Sequence, residues 1–143
     1  MTSSFLPDIN VWIALQYEAH RHHTKAVAWF RSLDDSTSLV FCRHTQIGMF
    51  RLLTTDAVMH GARLTQKQCW GIYAQWTDGG RTFLHAEPSE LDTSFQHLTL
   101  ADAPSPKTWA DAYLAAFAET ANLTLVTFDR ALAEKTEGSV LLA

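Results

Sequence analysis

Residues 5–15, FLPDINVWIAL, carry an acid where an apolar strand hands over to a helix. Phe5 and Leu6 open with strand character, and Val11, Trp12, Ile13 and Leu15 continue an apolar run that Asp8 and Asn10 interrupt. Asp is a favoured N-cap, so a helix start accounts for Asp8 taken alone. The rest of the chain decides whether it does more. After this opening, short strand-like runs alternate with helix-periodic ones. SLVFC (38–42) and LTLVTF (123–128) are apolar β runs, and RTFLHA (81–86) and SVLLA (139–143) are weaker ones. Between them, His23, Ala26, Val27, Phe30 and Leu33 repeat at helical spacing, as do Cys69, Ile72, Tyr73 and Trp76. QIGMFRLLT (46–54), residues 89–100, KTWADAYLAAFAETAN (107–122) and RALAEKTE (130–137) complete the helices. This alternation predicts an α/β fold with a mostly parallel sheet of four to five strands and helices on both faces. No linker or repeat divides the chain, so residues 1–143 are expected to form a single domain.

The 143 residues carry a formal net charge of −4, which excludes a basic nucleic-acid coat. An acidic enzyme of nucleic acids stays open, because bound metal ions can supply the positive charge. Charged residues make up 18%, below the usual quarter or so, and 47% are apolar, which favours a compact body. Cys42 and Cys69 match no zinc spacing and make a poor disulfide framework; reduced, packed thiols suit a cytoplasmic protein. No apolar run reaches the roughly 18 residues of a membrane span and no secretory leader pattern opens the chain, so no membrane role is expected.

In open α/β sheets ligands bind beyond the carboxyl ends of the strands. Asp8 and Asp129 both close strands, so both should project at that edge. Asp111 is the informative third acid. In TWADAYLAAFA its same-face neighbours are Leu114, Ala115 and Ala118, which puts a carboxylate on an apolar, sheet-facing stripe. An unpaired ionised acid there needs a cation, hydrogen bonds or a raised pKa. Three such acids converging from separate segments repel one another, and an oxygen-only ligand set suits Mg2+ or Mn2+. Such ions bind phosphate oxygens, which points to metal-assisted phosphodiester hydrolysis by a metal-activated water.

Three stretches in this order resemble the PIN-domain ribonucleases, specifically the VapC-type toxins of bacterial toxin–antitoxin pairs. LPDINVWIAL resembles the family's opening strand and helix, with Asp8 as a metal acid and Asn10 beside it. WADAYLAAFAE resembles its late helix, with Asp111 as a metal acid. LVTFDRAL resembles its closing strand and turn, with Asp129 as the acid and Thr127 as a hydroxyl that orients carboxylates or waters. The resemblance implies a three-layer α/β/α fold, a Mg2+ or Mn2+ site held by Asp8, Asp111 and Asp129, and endonucleolytic cleavage of RNA. It also implies a homodimer and a small antitoxin as cognate partner. Two positions depart from the family pattern. Gly48, in CRHTQIGMFRLL, stands where a Glu is common, and Ala131 stands where another acid is often found. One principal ion is therefore expected, and the alternative is a weak or inactive PIN-like module that binds RNA or a protein without cutting.

Arg43 follows a strand end and Arg51 lies on the same helix; with Gln46 they are candidates for RNA contacts. His44 is a further candidate for proton transfer. The cluster in EAHRHHTKA (18–26) lacks metal-ligand spacing and is expected to lead into a helix, with His23 packed and His22 solvated. A receiver-type phosphoacceptor needs paired acids after the first strand, and a dehalogenase-type phosphatase needs Asp-x-Asp. Here the chain has Asp8-Ile9-Asn10.

Overall fold

A computed structural model describes residues 3–142. Five strands form one sheet: β1 (Ser4–Pro7), β2 (Ser38–Phe41), β3 (Thr82–Leu84), β4 (Thr124–Thr127) and β5 (Val140–Leu141), in the order β3-β2-β1-β4-β5. Every pairing is parallel. The helices are α1 (Ile9–Gln16), α2 (His23–Arg31), α3 (Arg43–Leu53), α4 (Asp56–Met59), α5 (Gln66–Thr77), α6 (Leu91–Leu98), α7 (Thr108–Ala121) and α8 (Arg130–Lys135).

Successive strand residues point to opposite faces, and the two cores follow that alternation. Leu39, Phe41 and Val126 face a core shared with α1, α2, α3 and α5. Leu6, Val40 and Leu125 face the other core, with Leu114, Phe117 and Ala118 of α7 and Leu132 of α8. This is the expected three-layer arrangement. Because both faces are covered, the strands read as apolar runs instead of alternating ones. Trp12 anchors the first core: it is fully buried, stacks on Phe41 at 3.9 Å and meets Trp76 edge-on at 5.2 Å.

Some boundaries differ from the sequence expectation. Helix α3 starts at Arg43, not Gln46, because Cys42 and Thr45 close a capping box: the Cys42 N–H donates to Thr45 Oγ1 at 3.1 Å. Cys is a poor cap by preference, so the start is easily missed. The expected strand 139–143 is realised as Val140–Leu141, with Ala143 outside the described residues. Crossover connections put β1 and β4 side by side at the sheet centre, so their carboxyl ends, and the segments that follow, share one edge.

Candidate active site

Asp8 follows β1 and is tied to β4 by its own N–H, which donates to the Val126 carbonyl at 2.8 Å. It is only 9% exposed. Its Oδ1 accepts the Ile9 N–H at 2.7 Å, so the capping role is real. Its Oδ2 accepts the Thr127 hydroxyl at 3.0 Å, a contact between residues 119 apart in sequence. Thr127 Oγ1 in turn accepts the Asp129 N–H at 2.9 Å. A chain of two hydrogen bonds thus runs from the Asp129 backbone through a fully buried hydroxyl to the Asp8 carboxylate. Such a link fixes carboxylate orientation, as supporting groups around a metal ligand do.

Asp129 caps α8 through one oxygen: Oδ1 accepts the N–H groups of Ala131 at 2.9 Å and Leu132 at 3.3 Å. Asp111 lies in the first turn of α7. The stripe beyond it is buried as expected, with Leu114 and Ala118 at 2% and Ala115 at 5% exposure. Burial raises the Asp8 pKa most strongly, the Ile9 and Thr127 bonds oppose it, and Asp111 and Asp129 push it further up. Burial and Asp129 likewise raise Asp111, which Lys135 eases. The three carboxylates therefore share one field, and each disfavours the charge of another. The donors are all oxygen, which fits a hard divalent cation. Among the described residues no set of three His, Cys, Asp or Glu side chains closes into a ready-made cage.

The other candidates separate into groups. Asn10 is exposed and makes none of the hydrogen bonds linking Asp8, Thr127 and Asp129; it lines a cavity beside Asp129. Arg43 is exposed and donates from Nη1 to Gln46 Oε1 at 2.7 Å, while Gln46 itself is buried at 3% exposure. Of these two, Arg43 is the side chain within reach of a substrate. Arg51 is exposed. His44 lies close enough to Asp8 and Arg51 to feel both, and burial depresses its pKa despite the pull of Asp8. His23 packs as expected, its Nδ1 lying 2.7 Å from the Ala14 carbonyl oxygen. The segment His20–Arg21–His22, expected to lead into a helix with His22 solvated, instead walls the cavity that Asn10 and Asp129 share, and the half-buried His22 ring stacks on Phe128. No spacing rule reveals that placement, because it depends on contacts more than 100 residues apart in the chain.

Gly48 has a physical explanation. A Cβ at this position would lie 2.2 Å from Ile9 Cδ1 and 2.7 Å from Ile9 Cγ1. The Ile9 side chain fills the space where a larger residue on α3 would project. Moving the tip alone does not clear the overlap, since the stem atom is also too close. Gly48→Ala gains about 1 kcal/mol of helix propensity, against about 1–3 kcal/mol of overpacking. A double-mutant cycle with Ile9→Ala, read by chemical denaturation, is expected to show coupling of at least about 0.5 kcal/mol, with the second change relieving the first. Additive effects would mean that Ile9 does not occupy this space.

The sequence model of the PIN domain family matches residues 5–138. Ribonuclease VapC41 of Mycobacterium tuberculosis (strain ATCC 25618 / H37Rv) is 39% identical over 133 residues, spanning 90% of this chain and 91% of that protein. Ribonuclease VapC38 of the same strain is 27% identical over 124 residues, spanning 87% and 84%. Among solved structures, Mycobacterium tuberculosis VapC20, described as a sarcin-ricin loop cleaving toxin, superposes with a TM-score of 0.64 at 12% identity, covering 91% of this chain and 93% of that one. The last likeness concerns the fold alone. The chain belongs to the PIN-domain family and, within it, to the VapC group.

Proposed function

We infer that this chain is a divalent-metal-dependent endoribonuclease, the toxin of a toxin–antitoxin pair, acting as a single domain. Asp8, Asp111 and Asp129 are its metal-holding acids and Mg2+ or Mn2+ its ion. The observation that carries this reading is the shared field of three carboxylates at the sheet edge, with Asp8 desolvated and clamped by Thr127. Helix capping accounts for Asp8 and Asp129 taken singly; the mutual repulsion of the three acids is what a bound cation would relieve. PIN-domain ribonucleases generally use divalent ions, and the relatives named above are ribonucleases. When bound, the ion offsets phosphate charge and makes a water acidic enough to attack at neutral pH.

The chain's own residues supply the geometry. Thr127 holds the Asp8 carboxylate, the α8 cap holds Asp129, and the packed stripe of α7 fixes the helix that carries Asp111. The Asp8 and Asp129 carboxylates are held before substrate arrives, which removes part of the ordering cost of the reaction. Exposed Arg43, held by buried Gln46, is the candidate contact for an RNA phosphate, while Arg51 lines the cavity between α3 and α5. Ile47 and Trp70, 55% and 54% exposed, line one cavity between α3 and α5, and this apolar patch supports a homodimer. A cognate antitoxin protein is the expected regulatory partner, and the cytoplasm the expected compartment.

The second reading, a PIN-like module that binds without cutting, is favoured by Ile9 occupying the space at Gly48. Chelation decides between the two. Purified protein with single-stranded RNA is expected to cut internally when Mg2+ or Mn2+ is supplied and to stop when EDTA removes it. Gel-resolved products unaffected by EDTA would sink metal dependence, and RNA binding without cleavage in either metal would leave the second reading.

A further inference from the structure

The acids occupy only part of the sheet edge, and the wall next to them has a distinct chemistry. A cavity of about 320 Å³ is lined by Asn10, His20, Arg21, His22, Phe128 and Asp129. Phe128 sits between Thr127 and Asp129, so this wall is continuous with the acid cluster. The His22 ring stacks on Phe128 at 4.4 Å with the planes only 14° apart, and His20 lies 5.8 Å from His22. Local bonds preset the loop. The His22 N–H donates to His20 Nδ1 at 3.0 Å, the His20 N–H to the Tyr17 carbonyl at 3.0 Å, and the His23 N–H to the His20 carbonyl at 3.0 Å. His22 occupies the N-cap position of α2, yet its side chain makes no capping bond, so its ring is not needed to start the helix. Arg21 is exposed and brings a cation to a wall whose other charged group is Asp129.

We propose that this shelf binds the RNA strand beside the scissile phosphate, with Arg21 contacting a backbone phosphate and the Phe128–His22 stack forming a platform for an unpaired base. The inference rests on the ribonuclease reading and extends the same site. Aromatic rings, histidine included, are the usual platforms for unstacked RNA bases, and a guanidinium suits a phosphate. A stacked pair of rings joined to a catalytic strand end, with a cation alongside, presents both features within one nucleotide's reach of Asp129. A nucleotide offers a flat base to the rings and a phosphate to Arg21 in one unit, which makes RNA the better-matched occupant.

The test uses the full-length protein and a short fluorescein-labelled single-stranded RNA. Anisotropy gives affinity as a function of salt, and gel-resolved cleavage gives rate. Arg21→Ala is expected to lower the slope of log affinity against log salt by about 0.7, the value for one lost phosphate contact on a single strand. His22→Ala is expected to weaken binding roughly 5- to 150-fold, the usual range for one base stack. His22→Phe is expected to restore it. In an RNA scanned with single abasic sites, one position should weaken wild type by a similar factor and leave His22→Ala unchanged. Wild-type affinity and salt slope in both alanine variants would overturn the shelf while leaving the ribonuclease reading intact. Failure of that reading shows separately, as a wild-type protein that binds RNA but never cuts it.

Discussion

Asp8→Asn is expected to slow RNA cleavage by at least about a hundredfold and, without metal, to lose less stability than wild type between acid and neutral pH. The substitution is nearly isosteric and keeps an acceptor for the Ile9 N–H, so the cap survives. It removes the charge, and it leaves one acceptor oxygen where Asp8 uses two: with that oxygen on the Ile9 N–H, the amide nitrogen faces Thr127 Oγ1 and the buried hydroxyl loses its acceptor. Lewis-acid stabilisation of a phosphoryl transition state is worth several kcal/mol, and about 1.4 kcal/mol is a factor of ten in rate. The pH dependence of stability changes as well. Burial and two neighbouring acids raise the Asp8 pKa above its ordinary 3.8. Between those values the folded chain binds more protons than the unfolded one, so this group's contribution falls as pH rises through the window and stays low above it. Asp111 follows the same sign. Melting curves of metal-free protein should therefore show wild type losing ground to Asp8→Asn on going from acid to neutral pH. Mn2+ should then stabilise wild type by mass action and leave the variant little changed. Parallel melting profiles at all pH values, with and without Mn2+, would mean that Asp8 carries no such burden.

The sequence makes much of this site legible because a parallel sheet translates order into position. Apolar runs such as LTLVTF mark strands covered on both faces, and an acid just past such a run must lie at the carboxyl edge. Asp8 and Asp129 are expected there on that ground. Asp111 stands out because a carboxylate on the Leu114–Ala118 stripe needs a cation, hydrogen bonds or a raised pKa, although the helix dipole also favours an acid in the first turn of α7. What stayed hidden depends on tertiary contact. The missing acid at Gly48 is visible as a gap in a pattern, but only the folded chain shows Ile9 filling its space. The His20–Arg21–His22 wall is likewise invisible, since its neighbours Phe128 and Asp129 come from the far end of the chain. Exposure of Arg43 with burial of Gln46 also required the structure, for both sit in one helical turn.

Asp129→Asn and Asp129→Ala are expected to lose cleavage alike, at least about a hundredfold, yet to differ in stability. The two bonds that cap α8 both fall on Oδ1, and an Asn carbonyl can accept them equally well. Asn should leave the folding free energy nearly unchanged. Its lost attraction to the helix N-terminus, about 0.3–1 kcal/mol, is offset by relief of repulsion from Asp111, whose carboxyl Asp129 pushes upward. Ala removes the cap outright and should cost about 1 kcal/mol. The loss spreads beyond the cap because α8 is only six residues long and carries Leu132, which is 1% exposed in the second core. Fraying α8 also loosens Lys135, the cation that eases Asp111. Chemical denaturation together with single-turnover cleavage separates these effects. If Asp129→Asn cut RNA at the wild-type rate, Asp129 would be a helix cap and nothing more, and the metal would have to be held by Asp8 and Asp111 alone.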